Sequence, residues 1–166
     1  MMSERQVHRV GIGTDLHRLE PGGPLRIGGI DIPFDHHLAG HSDADVVLHA
    51  VTDSLLGAAG LPDIGERYPD TDPAWRGADS RALLGEVVAD LHQRGMSIVN
   101  VDLVIQAQRP KLSSHKSAIG TALSALLGIS ADRIAVKAKT NEGLDAVGRG
   151  EAISCIAIVG LTVKSC

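Results

Sequence analysis

Aromatic side chains are almost absent: one Phe, one Trp and one Tyr in 166 residues, or 2%. The core must therefore be built from Val, Ile, Leu and Ala. A surface of stacked aromatic platforms, of the kind that grips single-stranded nucleic acid, is argued against. Charge of one sign is also missing. With 16 Lys and Arg against 20 Asp and Glu the formal net charge is -4, so an anionic ligand has to be met by local cations, either metal ions or individually placed Lys and Arg. Cysteine is scarce: Cys155 lies in an apolar run, Cys166 is the last residue, and no CxxC spacing occurs. That fits a reduced cytoplasmic setting rather than a disulfide framework. No run approaches the ~18 apolar residues of a membrane span, and the opening MMSERQVHRV lacks the apolar stretch of a signal peptide. The expectation is a soluble, cytoplasmic protein.

Two familiar catalytic devices are lacking as well. There is no GxSxG elbow, and neither cysteine has a flanking histidine. GIGTDL, residues 11–16, begins like a dinucleotide-binding loop, but its sixth position is Leu16 rather than glycine and no helix pattern opens there. A reaction whose nucleophile belongs to the substrate needs none of these. Phosphoryl transfer is such a reaction, because positioning and charge neutralisation carry most of its catalysis.

Apolar residues at 43% and charged residues at 22% describe an ordinary globular chain, and the length suits one domain over 1–166. VHRVGIG (7–13) reads as a strand and LRIGGIDIP (25–33) as a short hairpin turning at Gly28 and Gly29. HSDADVVLHAVTDSLLGAAG (41–60) reads as a helix opened by Ser42 and Asp45 and closed by Gly60. Residues 61–80, with three prolines, two glycines and four aspartates, form a long loop of the functional kind. Helix patterns follow at 80–95 and 111–128, and strand patterns at 96–108, 129–140 and 151–163. The expected fold is α+β: a two-layer sandwich in which a four-stranded mixed sheet carries about three helices on one face, plus the hairpin.

Candidate chemistry begins at Asp15 and His17. In a strand, residues two apart share a face, so this carboxylate and imidazole converge. His41, Asp45 and His49 are spaced i, i+4, i+8 along the next helix pattern, with His49 between apolar neighbours. Alone, such a histidine is most simply a satisfied, half-buried residue. Together, Asp15, His17 and His49 would leave a tetrahedral zinc ion one open position, as a catalytic site requires. The stretch 137–151 holds Lys137, Lys139, Thr140, Glu142 and Arg149 among glycines. It reads either as a solvated hairpin or as a phosphate cradle in which Thr140 and Arg149 donate and Glu142 holds a hard cation. QRPK (108–111) offers Arg109 and Lys111 at a strand end, as an exposed turn or a phosphate or base contact.

Taken in order, GTDLH, HSDADVVLHA, DIGERYPDTDPAWRGADS, QRPK and GRGEAIS resemble the 2-C-methyl-D-erythritol 2,4-cyclodiphosphate synthase family of the non-mevalonate isoprenoid pathway, across nearly the whole chain. The resemblance implies an enzyme, a phosphorus–oxygen lyase. Its substrate is 4-diphosphocytidyl-2-C-methyl-D-erythritol 2-phosphate, whose 2-phosphate attacks the β-phosphorus to close a cyclic diphosphate and release CMP. It implies zinc on Asp15, His17 and His49, and a second ion, magnesium or manganese, on Glu142. His41 and Thr140 would stabilise the transition state. Substrate contacts would come from Asp15, His17, His41, Ser42, Asp63, Ile64, Gly65, Tyr68, Pro69, Asp70, Thr71 and Asp72 on the erythritol side. Ala107, Gln108, Pro110, Lys111, Lys139, Thr140, Asn141, Glu142, Ala146 and Arg149 would supply the rest. It further implies a homotrimer with active sites between subunits and a central cavity, lined by Arg149, that can take an isoprenoid diphosphate. Lys139, Asn141, Asp145 and Ala146 depart from the commonest family pattern, which has threonines at the first two, a glycine at the third and, in some members, an aromatic at the fourth. Two other readings use the same residues: a zinc-dependent hydrolase of nucleoside diphosphates, and a noncatalytic scaffold for isoprenoid diphosphates.

Overall fold

Strand β1 (Gln6–Pro21) runs well past the seven residues its sequence pattern suggested, so Asp15 and His17 lie inside a continuous strand. The computed structural model describes residues 6–164; Cys166 lies outside them. After β1 come the hairpin strands β2 (Leu25–Ile27) and β3 (Ile30–Ile32), then β4 (His36–Leu38) and helix α1 (Val46–Ala59). The long connection that follows contains a short helix α2 (Ile64–Arg67) and a 3-10 turn (Pro73–Trp75). Beyond it lie α3 (Ser80–Gln93), β5 (Met96–Gln106), α4 (Lys116–Leu127), β6 (Ile134–Lys139), a single turn α5 (Asp145–Gly148) and β7 (Ala152–Lys164).

The main sheet has five strands rather than the expected four, in the order β4-β1-β7-β5-β6. The extra strand is β4, a three-residue edge pairing with the end of β1, too short to show a period of two. Only β5 and β6 run parallel; the other pairs are antiparallel, which makes the sheet mixed as anticipated. Helix α1 packs on β1 and β7, α4 on β6, and α3 against both helices. Leu48, Leu55 and Leu56 of α1 meet Leu84 and Leu91 of α3, Ile119 and Leu123 of α4, and Leu103 and Ile105 of β5 in one fully buried cluster. Burying each such side chain contributes about 1.5–3 kcal/mol before entropy is counted. The opposite face of the sheet is bare: Val10 is 72%, Ile12 64% and Leu16 58% exposed, with Ile156 and Ile158 beside them.

Two helix starts differ from expectation. Helix α1 begins at Val46, capped by Asp45, whose carboxylate accepts from the N–H groups of Val47 and Leu48 at 3.1 Å each. The same carboxylate accepts from Gly28 at 2.8 Å and Gly29 at 2.7 Å, and so ties the hairpin turn to the helix. Asp45 is therefore no member of a helical ligand face, and His41 precedes the helix. Helix α4 begins at Lys116 instead of near 111, which leaves residues 111–113 free to border a cavity.

Candidate metal centre and adjoining cavities

Glycine sets the distance between β1 and α1. A Cβ on Gly11 would stand 1.9 Å from the Ser54 carbonyl oxygen, and one on Gly13 would stand 2.0 Å from that of Ala50. The GIG stretch thus admits the helix backbone to the strand. The next same-face positions of β1, Asp15 and His17, then reach His49 on α1.

These three side chains offer ligand atoms that all lie within 4.8 Å of one another. Asp15 Oδ2 is 2.8 Å from His17 Nε2 and 2.9 Å from His49 Nδ1, and the two ring nitrogens are 3.2 Å apart. The outer nitrogens have their own partners. His17 Nδ1–H donates to the Ala39 carbonyl at 2.9 Å, and His49 Nε2 lies 2.8 Å from Ser80 Oγ and 3.2 Å from Ser42 Oγ. Occupied outer nitrogens leave the inner ones to coordinate, the arrangement metal-ligating histidines adopt. Burial works to raise the Asp15 carboxyl, but hydrogen bonds from His17 and His49 outweigh it and hold it far below the usual carboxylate range. Burial works to lower His17, and Asp15 overrides it, so that imidazole is raised. Two imidazoles and one carboxylate fit a divalent ion with a position left open.

Against the triad lies a cavity of about 160 Å³ bordered by His41, Ser42, Ile64, Gly65, Tyr68 and Asp70, with Trp75 and Leu83 behind. The long connection is anchored around it. Asp53 on α1 accepts from Ile64 N–H at 2.8 Å, and the Tyr68 ring meets Trp75 edge-on at 4.9 Å. Asp63 caps α2 and Asp72 caps the 3-10 turn, so Asp70 is the aspartate of this stretch that borders the cavity. Pro69 is half-buried and Thr71 exposed beside it.

A second cavity, about 350 Å³, is bordered by Ala107, Gln108, Pro110, Lys111 and Ser113 together with Lys139 and Thr140. Thr140 Oγ1–H donates to Glu142 Oε1 at 2.7 Å. Asn141 donates to Asp145 at 2.8 Å, and Asp145 accepts from Val147 N–H at 2.8 Å. Two departures from the family pattern thus bind each other. Asp145 also holds φ at 59°, a left-handed conformation natural for glycine. Arg149 is engaged by Glu151 through two contacts of 2.9 Å.

The triad and this second cavity stand apart on the sheet. Register sets Asp15 of β1, Cys155 of β7, Ile105 of β5 and Ala138 of β6 in one row, and three strand spacings separate its ends by about 14 Å. A cavity of about 560 Å³, bordered by Asp15, Leu16, Gln106, Asn141 and Ala146, lies between. Sequence reasoning missed Ser80, whose partners lie 31 and 37 residues away, and Asp53, whose partner lies 11 away.

The model of the YgbB family matches residues 8–162. A protein of Burkholderia thailandensis named 2-C-methyl-D-erythritol 2,4-cyclodiphosphate synthase is 56% identical over 149 residues, covering 90% of this chain and 92% of its own. The chain belongs to the YgbB family, that of the 2-C-methyl-D-erythritol 2,4-cyclodiphosphate synthases. A synthase of this name from Gemmatimonas aurantiaca is 53% identical over 149 residues, 90% of each chain. A solved synthase structure, in its form with CDP bound, is 43% identical with a TM-score of 0.84, covering 91% of this chain and 98% of its own. The bifunctional protein of Campylobacter jejuni gives a TM-score of 0.91 at 38% identity; the match covers 96% of this chain and 43% of that longer one. Among the described residues no helix is long and apolar enough to cross a membrane.

Proposed function

We propose that this protein, as a single cyclodiphosphate synthase domain, converts 4-diphosphocytidyl-2-C-methyl-D-erythritol 2-phosphate to 2-C-methyl-D-erythritol 2,4-cyclodiphosphate and CMP. The observation that carries the reading is the open Asp15–His17–His49 triad beside a small cavity, in a family whose members bear that name. An ionised oxygen of the 2-phosphate forms a bond to the β-phosphorus. The bond from that phosphorus to the CMP oxygen breaks, and CMP leaves with the electron pair. The chemistry needs no enzymic nucleophile and no general base, only two mutually repelling anionic groups held in line.

Asp15, His17 and His49 would hold zinc, and Glu142 magnesium or manganese, ions that would supply charge neutralisation and polarisation of the phosphoryl groups. His41 donates to the developing charge from the cavity rim, and Thr140 does so from the other half-site. Ile64, Gly65, Tyr68 and Asp70 close over the erythritol moiety, Asp70 accepting from its hydroxyls. Residues 107–113, with Lys111 and Lys139, hold the cytidine phosphate. The bare apolar stripe of Val10, Ile12 and Leu16 supports a homotrimer, since a patch of that kind is covered in solution. A neighbouring subunit would bring its 107–113 cavity to this triad. An isoprenoid diphosphate in the central cavity would compete with Glu151 for Arg149.

Phosphorus NMR of the purified protein with this substrate and magnesium, with and without a chelator, tests the proposal. A cyclic diphosphate appearing with CMP and lost on chelation is the expected outcome. Linear phosphates point to a hydrolase instead, and an unchanged spectrum from folded, metal-loaded protein rejects catalysis in favour of a scaffold.

A further inference from the structure

We infer that Ser80 and Asp43 form a positioning relay that sets the tautomer of His49, and with it the nitrogen lone pair that this residue can offer a metal. The inference rests on the metal-site reading above and extends it to two residues outside the triad. His49 Nε2 lies 2.8 Å from Ser80 Oγ, and a hydroxyl at that distance can either give or take a proton. Ser80 has no freedom in the matter, because its one hydroxyl proton goes to Asp43 Oδ1 in a short hydrogen bond. Its backbone N–H donates to the other oxygen of the same carboxylate at 3.2 Å. At the shorter of the two contacts of Nε2, only a lone pair of Ser80 then faces the imidazole. Nε2 then carries a hydrogen, which leaves Nδ1, 2.9 Å from Asp15 Oδ2, as the nitrogen that exchanges its own hydrogen for a metal.

Burial makes the constraint hard to evade. Ser80 is 1% exposed, so water has little room to take its place. Ser42 Oγ, the other neighbour of Nε2, stands at 3.2 Å against 2.8 Å for Ser80, so its hydroxyl is the weaker partner. His17 presents a contrast: its outer nitrogen is held by a backbone carbonyl, which no substitution removes. The His49 ligand is the one whose orientation is written in side chains.

The relay also joins three segments. Asp43 follows His41 and Ser42, which border the triad cavity, and its N–H donates to the Ala78 carbonyl at 3.2 Å. Ser80 is the first residue of α3, where the long connection ends. One carboxylate thus fastens the far end of that connection to the metal ligand.

The test uses the full chain and two probes. Zinc affinity is measured by competition with a chromogenic chelator. The His49 tautomer is read in zinc-free protein from long-range proton–nitrogen correlations of 15N-histidine. Wild type should show a hydrogen on Nε2. Ser80→Ala removes the acceptor and should mix the tautomers and weaken zinc binding by about 10–100-fold. Asp43→Asn can turn an amide donor toward Ser80, reverse the serine proton and shift His49 toward Nδ1–H. Ser42→Ala should leave the tautomer unchanged. A folded Ser80→Ala or Asp43→Asn protein that keeps both the wild-type tautomer and zinc affinity within about twofold overturns the relay, as does a tautomer governed by Ser42. The tautomer arm needs no metal, so a wild-type chain that takes up no zinc rejects the metal reading while the relay is still decided.

Discussion

The two halves of the proposed site are built on opposite plans. Around Asp15, His17 and His49, backbones touch through glycine, side chains are half-buried, and outer ring nitrogens are already engaged. Around residues 107–113 and 139–142, the cavity is wider, and Lys139, Thr140 and Glu142 are solvent-exposed. The first half is preorganised within one chain, as electrostatic catalysis on phosphorus demands. The second is open and lined by exposed side chains, as suits the cytidine phosphate proposed for it. A cavity bordered by Leu16 and Ala146 lies between them, and in the proposed homotrimer a neighbouring subunit would bring the two together.

The largest effect should come from filling the contact that builds the first half. In Gly13→Val, a Cβ 2.0 Å from the Ala50 carbonyl oxygen forces α1 away from β1. Overpacking of this kind costs about 1–3 kcal/mol or more, and both the thermal midpoint and zinc content should fall together. His49→Ala should spare the fold but lower zinc affinity by at least about a hundredfold and abolish cyclisation. Zinc-free protein of this variant with full activity would sink the catalytic metal assignment. Ile12→Glu leaves both half-sites untouched and attacks only their meeting. Sedimentation should report monomers that still bind zinc yet turn over poorly, whereas an active monomer would show that one chain suffices. Lys111→Ala probes the receptor half: KM should rise about tenfold, as for one lost charged hydrogen bond, with kcat little changed.

The smallest effect is in pH. Asp15 is depressed, so its contribution to the stability of metal-free protein is present above about pH 4 and fades as pH falls through the lowered folded value. His17 is raised, so its contribution is complete below about pH 6.5 and fades as pH rises through the folded value. Urea titrations should therefore find metal-free protein more stable near pH 5.5 than near pH 8.5. Zinc affinity should run the other way, because the His17 proton must leave before the metal binds.

Much of the first half was legible because it depends on short periods. The two-residue step from Asp15 to His17 is a strand property, and the apolar neighbours of His49 announced a helix at the core. GIG was rightly rejected as a nucleotide fingerprint, but its real role depends on which backbone arrives opposite, which no local pattern encodes. Ser80 meets Asp43 across 37 positions and His49 across 31, so neither contact leaves a trace in spacing. Asp45 was misjudged for a related reason: its partners include a turn that precedes it by 16 and 17 residues. The Asn141–Asp145 bond shows the reverse case, in which two departures from a family pattern were each visible but their mutual compensation was not.

Asp45 also bears on whether the metal centre could be moved to another protein. A graft carrying only the strand and the helix would leave behind the hairpin whose turn supplies two of the four N–H groups received by that buried carboxylate. The portable unit is therefore residues 11–80 as a block, which also carries the Ser80 that holds His49, and a transplant without the hairpin would carry an underpartnered carboxyl group at the root of its own helix.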